Sequence, residues 1–380
     1  MTDSPAERRR ITGLLKQAAI DLGFSRVGIA PAVEPLGYER FRRWLDDGLH
    51  GTMRYLDERR EAYAHPRHVL DGVRSVVMLT LDYRTAEPPT VEPGQGRVSR
   101  YAWGTRDYHD TIRDRLHRLA DRLRSWVPDA LTRGIVDTAP LLERDFARLA
   151  GLGWQGKNTL LISKSAGSWF FLAALLTDVS LEIDRPHESD HCGTCTACLD
   201  ACPTEAFPQP GVLDARRCVS YLTIELRGAI PRELRPGIGD RVFGCDDCQE
   251  VCPWQSKSSV SSAEEFRPDP SLHPLELLTL FTIDDAEFRR RFRRTPLWRA
   301  HRDGLLRNAA IVLGNARLIG AVPTLIGALD ESSSTIRGAA AWALGEIGAA
   351  EGLAALRRRL AIETDEQVRD ELHAALRTKA

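Results

Sequence analysis

The sequence predicts a three-part protein of the α+β class: a mixed α/β region, a short cysteine-rich module and a C-terminal stack of helices. Apolar residues switch between helical spacing and short strand-like runs over residues 1–186. All eight cysteines fall within residues 187–260, and an Ala- and Leu-rich helical pattern begins at about residue 275. Such changes of pattern indicate separate domains. We expect domains at 1–186, 187–260 and 301–380, with a linker and basic helical segment at 261–300.

The first region begins with a helix, because apolar residues between Ile11 and Leu22 recur at helical spacing. Short apolar runs rich in β-branched and aromatic residues then predict four strands, at 24–30, 75–81, 159–162 and 169–176. Turn-forming residues at 164–167 separate the last two runs. A Pro- and Gly-rich stretch at 82–97 predicts a loop, and the Ser- and Pro-rich stretch at 257–274 predicts a linker.

The C-terminal region carries a weak internal repeat. Leu313-Gly314 recurs as Leu344-Gly345, and Arg337 recurs as Arg369, which corresponds to a period of about 31 residues. A helical hairpin repeating at this period predicts a short stack of HEAT-like repeats. The alternative is one ordinary helical bundle.

The eight cysteines form two runs whose spacing is typical of two iron–sulfur clusters. Cys192, Cys195, Cys198 and Cys202 give C-x2-C-x2-C-x3-C followed by proline, the run of a bacterial ferredoxin-like module. In that run the fourth cysteine ligates the other cluster. The second run is split, with Cys218 placed well before C-x2-C-x3-C. Exchange of the fourth ligands predicts two [4Fe–4S] sets: Cys192, Cys195, Cys198 and Cys252; and Cys202, Cys218, Cys245 and Cys248. Two structural zinc sites are the alternative.

Composition excludes few classes of function. The formal net charge is −1, so no overall charge excess predicts binding to nucleic acid or to a membrane. The N-terminal sequence lacks the apolar stretch of a secretory signal, and the longest uncharged apolar run, between Lys164 and Asp178, is too short to span a bilayer. We expect a cytoplasmic protein without membrane contact.

Several motifs, in family order along the whole chain, resemble those of the epoxyqueuosine reductases. They are RYAWGTRDYH (100–109), VDTAPLLERDFA (136–147), GLGWQGKNTLLI (151–162), the two cysteine runs, and LLRNAAIVLGN (305–315). The resemblance implies an α/β cobalamin-binding catalytic domain, a two-cluster module and a HEAT-like end that helps to bind tRNA. It implies reduction of the epoxide of epoxyqueuosine to queuosine at the wobble position of tRNA.

The resemblance also assigns residues near the cofactor. Asp137 is implied as the proton donor; we expect burial to raise its pKa, and the alternative is an N-cap for the helix at 141–149. Gly156, Lys157 and Asn158 are implied to contact cobalamin, against the alternative of a glycine-rich loop ending in a hairpin. Two more cofactor contacts are implied at Arg100 and Tyr101, against a surface loop. His109 is expected to be a helix-start residue, not a cobalt ligand.

Eight arginines and one acid lie between Phe288 and Arg307, a stretch that we call the arginine cluster. A cluster of positive charges attracts phosphate backbones, and aromatic residues such as Phe292 and Trp298 can stack on bases. With the resemblance, the cluster predicts a tRNA contact, and a solvated helix face is the alternative. The predicted contact residues are Arg290, Arg293, Arg294, Arg299, Arg302 and Arg307.

The predicted reaction passes electrons singly from an external low-potential donor, through the clusters, to cobalamin that cycles between cob(II)alamin and cob(I)alamin. The protein supplies positioning and a proton. Two other functions remain open. One is a reductive dehalogenase, which pairs the same cofactors but usually carries an export signal. The other is a non-enzymatic electron carrier with a helical docking domain.

Overall fold

The computed structural model describes residues 4–377, and a four-stranded sheet organises its N-terminal part. Strand order is β1-β2-β7-β4, with every neighbouring pair antiparallel. The bounds are α1 Pro5–Asp21, β1 Arg26–Pro31, α2 Tyr38–Asp46, α3 Arg54–Glu58, β2 Ser75–Asp82, β3 Gln95–Val98, α4 Tyr108–Trp126, β4 Thr132–Ile135, α5 Glu143–Leu149, β5 Trp154–Gln155, β6 Leu161–Ile162 and β7 Phe170–Thr177. The predicted first helix and the strands near residues 24 and 75 are confirmed.

The central strands β2 and β7 are buried along almost their whole length, which explains their nearly continuous apolar sequences. Helices α1 and α4 cover one face of the sheet, and α5 packs against the other face. The strands predicted at 159–162 and 169–176 both form, but they do not pair as neighbours. Strand β6 pairs with β5, whereas β7 pairs with β2 and β4. Only a bridge from Ser163 to Gly167 joins the intervening turn.

The cysteine-rich module is made of short elements. These are α6 Ala197–Asp200, α7 Val219–Ile224, α8 Arg235–Ile238, β8 Arg241–Phe243 and α9 Asp247–Glu250. Strand β3 pairs with β8 on one side and with β9, Leu275–Glu276, on the other. The Pro- and Gly-rich stretch at 82–97 therefore ends in a strand that ties the N-terminal region to the module.

The C-terminal part is a stack of antiparallel helices: α10 Leu277–Leu280, α11 Asp285–Phe292, α12 His301–Asn315, α13 Val322–Ala328, α14 Ser334–Ile347, α15 Ala350–Leu360 and α16 Glu366–Arg377. Its repeat has a packing reason. A Cβ on Gly314 would lie 2.8 Å from Trp342, and one on Gly345 would lie 2.7 Å from Ala375. Each glycine thus allows consecutive long helices to cross closely.

The repeated arginines also have equivalent roles. Arg337 donates to the carbonyl oxygens of Glu331 and Ser332 at 2.9 and 2.8 Å. Arg369 donates to the carbonyl oxygens of Leu360 and Glu363 at 3.2 and 3.0 Å. Each guanidinium therefore holds the loop that precedes its own helix, and the repeat is structural.

One hydrophobic core joins the module to the helical stack. Val98 and Trp103, Val219 and Phe243, and the inner faces of α12, α14 and α16 belong to the same buried cluster. None of the helices within residues 4–377 is both long enough and apolar enough to cross a membrane.

Candidate functional site

The eight cysteines lie in two neighbouring groups of thiols, and none of them forms a disulfide. Burial raises the pKa of Cys198, and the charges of Cys252, Cys192 and Cys195 raise it further. Burial likewise raises the pKa of Cys248, followed by the charges of Cys218 and Cys245. Cys202 acts in the same way on Cys218. Most of these mutual effects fall within the two sets of four that the spacing predicts, although Cys198 of the first set also raises the pKa of Cys248.

The spacing of these thiols differs from that of a zinc site. A single zinc ion draws four sulfur atoms to about 2.3 Å from one point. No convergence of three or more His, Cys, Asp or Glu side chains on a single ion position occurs among residues 4–377. A cuboidal four-iron cluster keeps its sulfur ligands farther apart than a single zinc ion does.

Hydrogen-bond donors surround several of the sulfur atoms. The indole Nε1 of Trp154 donates to Cys192 Sγ at 3.4 Å, and the amide of Ala206 donates to Cys202 Sγ at 3.2 Å. Backbone amides also lower the pKa of Cys218 and of Cys252, in both cases against the larger, raising effect of burial. Such donors stabilise the negative charge that cluster ligands carry. The first group reaches solvent at Cys195, which is exposed.

Asp137 lies at the centre of a group of polar side chains that are far apart in sequence. We call this group the Asp137 constellation. The hydroxyl of Tyr108 hydrogen-bonds to Asp137 Oδ2, and His109 Nε2 lies 3.3 Å from the same oxygen. His109 Nδ1 is 2.6 Å from Asp107 Oδ1, and a guanidinium nitrogen of Arg299 lies 2.7 Å from His109 Nε2. Tyr108 and His109 begin α4, whose N-cap is Asp107, so the helix-start expectation for His109 is confirmed.

The alternative role of Asp137 as an N-cap and the expected rise of its pKa are both wrong. Asp137 does not cap α5, because that helix begins at Glu143 after the N-cap Leu142. Burial acts to raise the pKa of Asp137, but the hydrogen bonds and charges of His109, Tyr108 and Arg299 outweigh it, so that the pKa is lowered. The role of Arg299 could not be predicted from local sequence, because it is 162 residues away from Asp137 along the chain. Asp137 is therefore ionised at neutral pH.

The backbone of Asp137 is held in an unusual conformation. Its φ is 53°, in the left-handed region that non-glycine residues rarely adopt. Its amide donates to Glu143 Oε1 at 3.2 Å, and Arg59 donates to the carbonyl oxygen of Thr138 at 3.3 Å. Backbone strain of this kind persists where surrounding contacts hold a residue in place, and it is common at functional sites. Sequence analysis missed Glu143, although it lies six residues after Asp137 in one of the matching motifs.

Glu143, Arg144 and Tyr55 lie close enough to Asp137 for its charge to change the pKa of each. We infer that these four residues border a hollow, which we call the Asp137 concavity. About 40% of the Asp137 side chain and 47% of Tyr55 is exposed. Nevertheless, surrounding protein raises the pKa of Tyr55 to about 12 and lowers that of the exposed Arg144. Accessible surface together with strong desolvation indicates a concave wall, as a large bound group requires.

The residues predicted to contact cobalamin have unequal access to this hollow. Tyr101 lies beside it, with ring centroids 5.8 Å from Tyr108 and 6.2 Å from Phe243, two residues before Cys245. Arg100 is 6% exposed; it donates to the carbonyl oxygen of Ala86 and lies over Trp169. The Arg100 side chain is thus engaged in packing.

Lys157 and Asn158 contact the cysteine-rich module directly. Lys157 Nζ donates to the carbonyl oxygens of Gly193 and Cys195 at 2.7 and 2.9 Å, and Asn158 Nδ2 donates to that of Cys248 at 3.1 Å. A Cβ on Gly156 would lie 2.5 Å from Ile162. The glycine thus serves local packing, and its two neighbours fix both cysteine groups to the catalytic region.

The arginine cluster separates into exposed and engaged members. Arg290, Arg293 and Arg294 are exposed, although Arg290 also pairs with Glu287. Arg302 forms an ion pair with Glu331, and Arg299 belongs to the Asp137 constellation. The remaining three members are Arg289, Arg291 and Arg307.

Arg307 and Phe292 do not fit the predicted RNA surface. Arg307 is 1% exposed and Phe292 is fully buried, so neither can reach a phosphate or a base. Arg294 borders a cavity of about 510 Å³ together with Thr105, Arg106 and Asp110. Its carbonyl oxygen accepts the amide of Asp107 at 2.7 Å, which places this basic edge next to the start of α4.

Three family descriptions match parts of the chain. "Epoxyqueuosine reductase QueG, DUF1730" matches residues 64–138, "4Fe-4S double cluster binding domain" matches 191–255, and "HEAT repeats" matches 299–377. The prediction of HEAT-like repeats is confirmed.

Full-length relatives agree with these matches. An epoxyqueuosine reductase of Pseudomonas aeruginosa is 45% identical over 82% of this chain and 88% of its own length. The corresponding enzyme of Escherichia coli is 41% identical over 82% and 83%. A crystal structure of an epoxyqueuosine reductase with an epoxyqueuosine-modified tRNA-Tyr stem loop has a TM-score of 0.92 and 32% identity, covering 97% of this chain and 99% of that one. A Bacillus subtilis enzyme, described with its aspartate catalytic loop swung out of the active site, has a TM-score of 0.90 and 31% identity, covering 98% and 99%.

Proposed function

The chain belongs to the epoxyqueuosine reductase family, and on that premise we propose which of its residues carry out the reduction. It is an oxidoreductase that converts the epoxide of epoxyqueuosine in tRNA to queuosine. The observation that carries the residue assignment is the Asp137 constellation beside the two groups of four thiols. Neither the dehalogenase nor the electron-carrier alternative is supported by these relatives.

The two thiol groups are the proposed ligands of its two [4Fe–4S] clusters. The first set is Cys192, Cys195, Cys198 and Cys252, and the second set is Cys202, Cys218, Cys245 and Cys248. Mutual charge effects within each set and amide donors to the sulfurs support this assignment. Because Cys195 is exposed, the first cluster is the proposed entry point for electrons from an external low-potential donor.

The Asp137 concavity is the proposed cobalamin site. Its hollow shape fits a large macrocycle, and Tyr101 borders both this hollow and the segment that leads into Cys245. Tyr101 and residues 156–158 would hold the cofactor, as the resemblance of their motifs implies. When bound there, cobalamin would supply the strongly reducing metal that breaks the carbon–oxygen bonds.

Asp137 is the proposed donor of the proton that the departing oxygen needs. An aspartate catalytic loop is described for the Bacillus subtilis relative, and the strained loop at Asp137 is its counterpart in chemistry. Since the Asp137 carboxylate is ionised at neutral pH, it must receive a proton before it can deliver one. Tyr108, His109 and Arg299 orient it and stabilise its charge between these transfers.

The proposed tRNA surface is the exposed half of the arginine cluster: Arg290, Arg293 and Arg294. The cavity at Arg294 and Arg106 adjoins Asp107, so bound phosphates there would lie close to the start of the catalytic helix. Arg299 serves the catalytic centre, whereas Arg302 and Arg307 stabilise the fold.

The proposed function is tested by anaerobic reconstitution with iron, sulfide and cobalamin, followed by assay on tRNA that contains epoxyqueuosine. Loss of one oxygen atom from the modified nucleoside is followed by mass spectrometry. The expected result is conversion to queuosine that depends on both cofactors and on a reductant. Reconstituted protein that carries both cofactors and leaves the nucleoside unchanged would overturn the proposal.

A further inference from the structure

The reduction needs two protons, whereas the Asp137 carboxyl can carry only one at a time. An epoxide plus two electrons and two protons gives an alkene and water, because both carbon–oxygen bonds break and the oxygen leaves fully protonated. The cofactors supply the electrons. A second source of protons is therefore needed beside Asp137, all the more because Asp137 is itself held ionised.

Glu143 is the carboxyl best placed to be that source. It is the first residue of α5, and its Oε1 accepts the Asp137 amide at 3.2 Å. Its side chain is half-buried, so that part of it reaches the surface near Asp137. The hydrogen bond to the backbone of the catalytic loop keeps the two carboxyl groups together.

The charges around Glu143 favour its protonated form. Burial, the largest influence, and the negative charge of Asp137 together raise the pKa of Glu143 to about 8. Arg144 acts in the opposite direction from the same helix. Tyr63 faces Glu143 from a neighbouring turn, with Arg59 beside it. At pH 7 the two carboxyls thus share one proton, and Glu143 holds it.

We propose that Glu143 stores a proton and passes it to the ionised Asp137, directly or through a bound water, before Asp137 protonates the departing oxygen. The O–H bond of Glu143 breaks as that of Asp137 forms; solvent then reprotonates Glu143, which supplies the second proton by the same route. This proposal rests on the proposed function. It makes Asp137 a relay and Glu143 the reservoir.

Glu143→Gln tests the proposal, because the amide oxygen can still accept the Asp137 amide while the transferable proton is lost. We expect kcat to fall at least about tenfold with the KM for tRNA unchanged. In the parent protein, kcat should fall as pH rises through about 8, where Glu143 loses its proton. That alkaline limb should disappear in Glu143→Gln, and Glu143→Asp should restore part of the rate. A matched control is Glu351→Gln, an exposed first-turn glutamate of α15, which should leave the profile unchanged.

Infrared spectroscopy of the substrate-free protein gives a readout independent of turnover. A protonated carboxyl band should be present at pH 7, vanish above pH 8 and be absent from Glu143→Gln. Full kcat with an unchanged pH profile in Glu143→Gln would overturn the proposal, as would loss of its clusters or cobalamin, which would show a purely structural role. Failure of the proposed function is distinguishable, because the parent protein would then be inactive in the same assay.

Discussion

Replacing Arg307 by methionine should destabilise the junction between the helical stack and the cysteine-rich module without weakening tRNA binding. The guanidinium of Arg307 donates to the carbonyl oxygens of Leu222, Leu226 and Gly228 at 2.6, 2.9 and 2.7 Å. Methionine has a comparable length and no donor. The substitution therefore leaves three buried carbonyl oxygens without this partner, within the core that joins the two parts.

The size of the effect follows from these contacts. Each carbonyl that loses its donor costs about 1–3 kcal/mol, so that three cost about 3–9 kcal/mol. Removal of a buried charge offsets part of this loss, since burial, followed by the charges of Arg227 and Arg235, lowers the pKa of Arg307 to about 9. We expect the free energy of unfolding to fall by about 2–5 kcal/mol.

Denaturant unfolding of the anaerobic, cofactor-loaded protein, followed by circular dichroism, measures this loss. Binding to the same tRNA is measured in parallel at fixed salt. The matched control is Arg294→Met, which removes an exposed arginine and should weaken tRNA binding without changing stability. An unchanged unfolding midpoint together with weaker tRNA binding by Arg307→Met would refute the structural role of Arg307.

Three further changes probe other parts of the molecule. Replacing Arg290, Arg293 and Arg294 by alanine should weaken tRNA binding and reduce the slope of log affinity against log salt by about two to three. The control is replacement of Arg8, Arg9 and Arg10 in α1. An equal change in that control would contradict a specific tRNA surface. Cys218→Ser should remove the electron paramagnetic resonance signal of one reduced cluster and keep that of the other, and loss of both from folded protein would contradict the ligand sets. Glu363→Gln should cost about 3 kcal/mol at pH 7, because the hydrogen bond from Arg337, against burial, lowers the pKa of Glu363 from 4.5 to about 2. This stabilisation is complete above pH 4.5 and is lost as pH falls toward 2. In urea unfolding, the difference in unfolding free energy between the parent and Glu363→Gln should therefore be about 1 kcal/mol smaller at pH 4 than at pH 7. A difference independent of pH would contradict this role of Glu363.

Features that depend on neighbouring residues could be predicted from the sequence. The cysteine spacing, the apolar runs of β2 and β7, and the paired Leu-Gly steps of the helical repeat are local patterns with a direct geometric meaning. Pairing between strands is not local. Turn residues at 164–167 separate β6 from β7, yet β7 pairs with β2 and β4 in the centre of the sheet, where its apolar length is buried.

The catalytic constellation was beyond sequence reasoning for the same reason. Asp137 could be identified from its motif, but its lowered pKa depends on Arg299 and His109, which the fold brings to it. Arg299 and Arg307 were grouped with RNA-binding arginines because they are close in sequence. The side chain of Arg299 contacts His109, whereas that of Arg307 is buried and donates to the carbonyl oxygen of Leu222.

The most direct test of the account is a single-turnover reaction of Asp137→Asn, reconstituted with both clusters and cobalamin and chemically reduced before tRNA is added. The amide keeps the shape of the carboxyl and removes the group that transfers the proton. The account predicts parent-like cofactor content and tRNA binding, with the rate of queuosine formation reduced at least about a hundredfold. Queuosine formation at the parent rate would contradict the central role of Asp137.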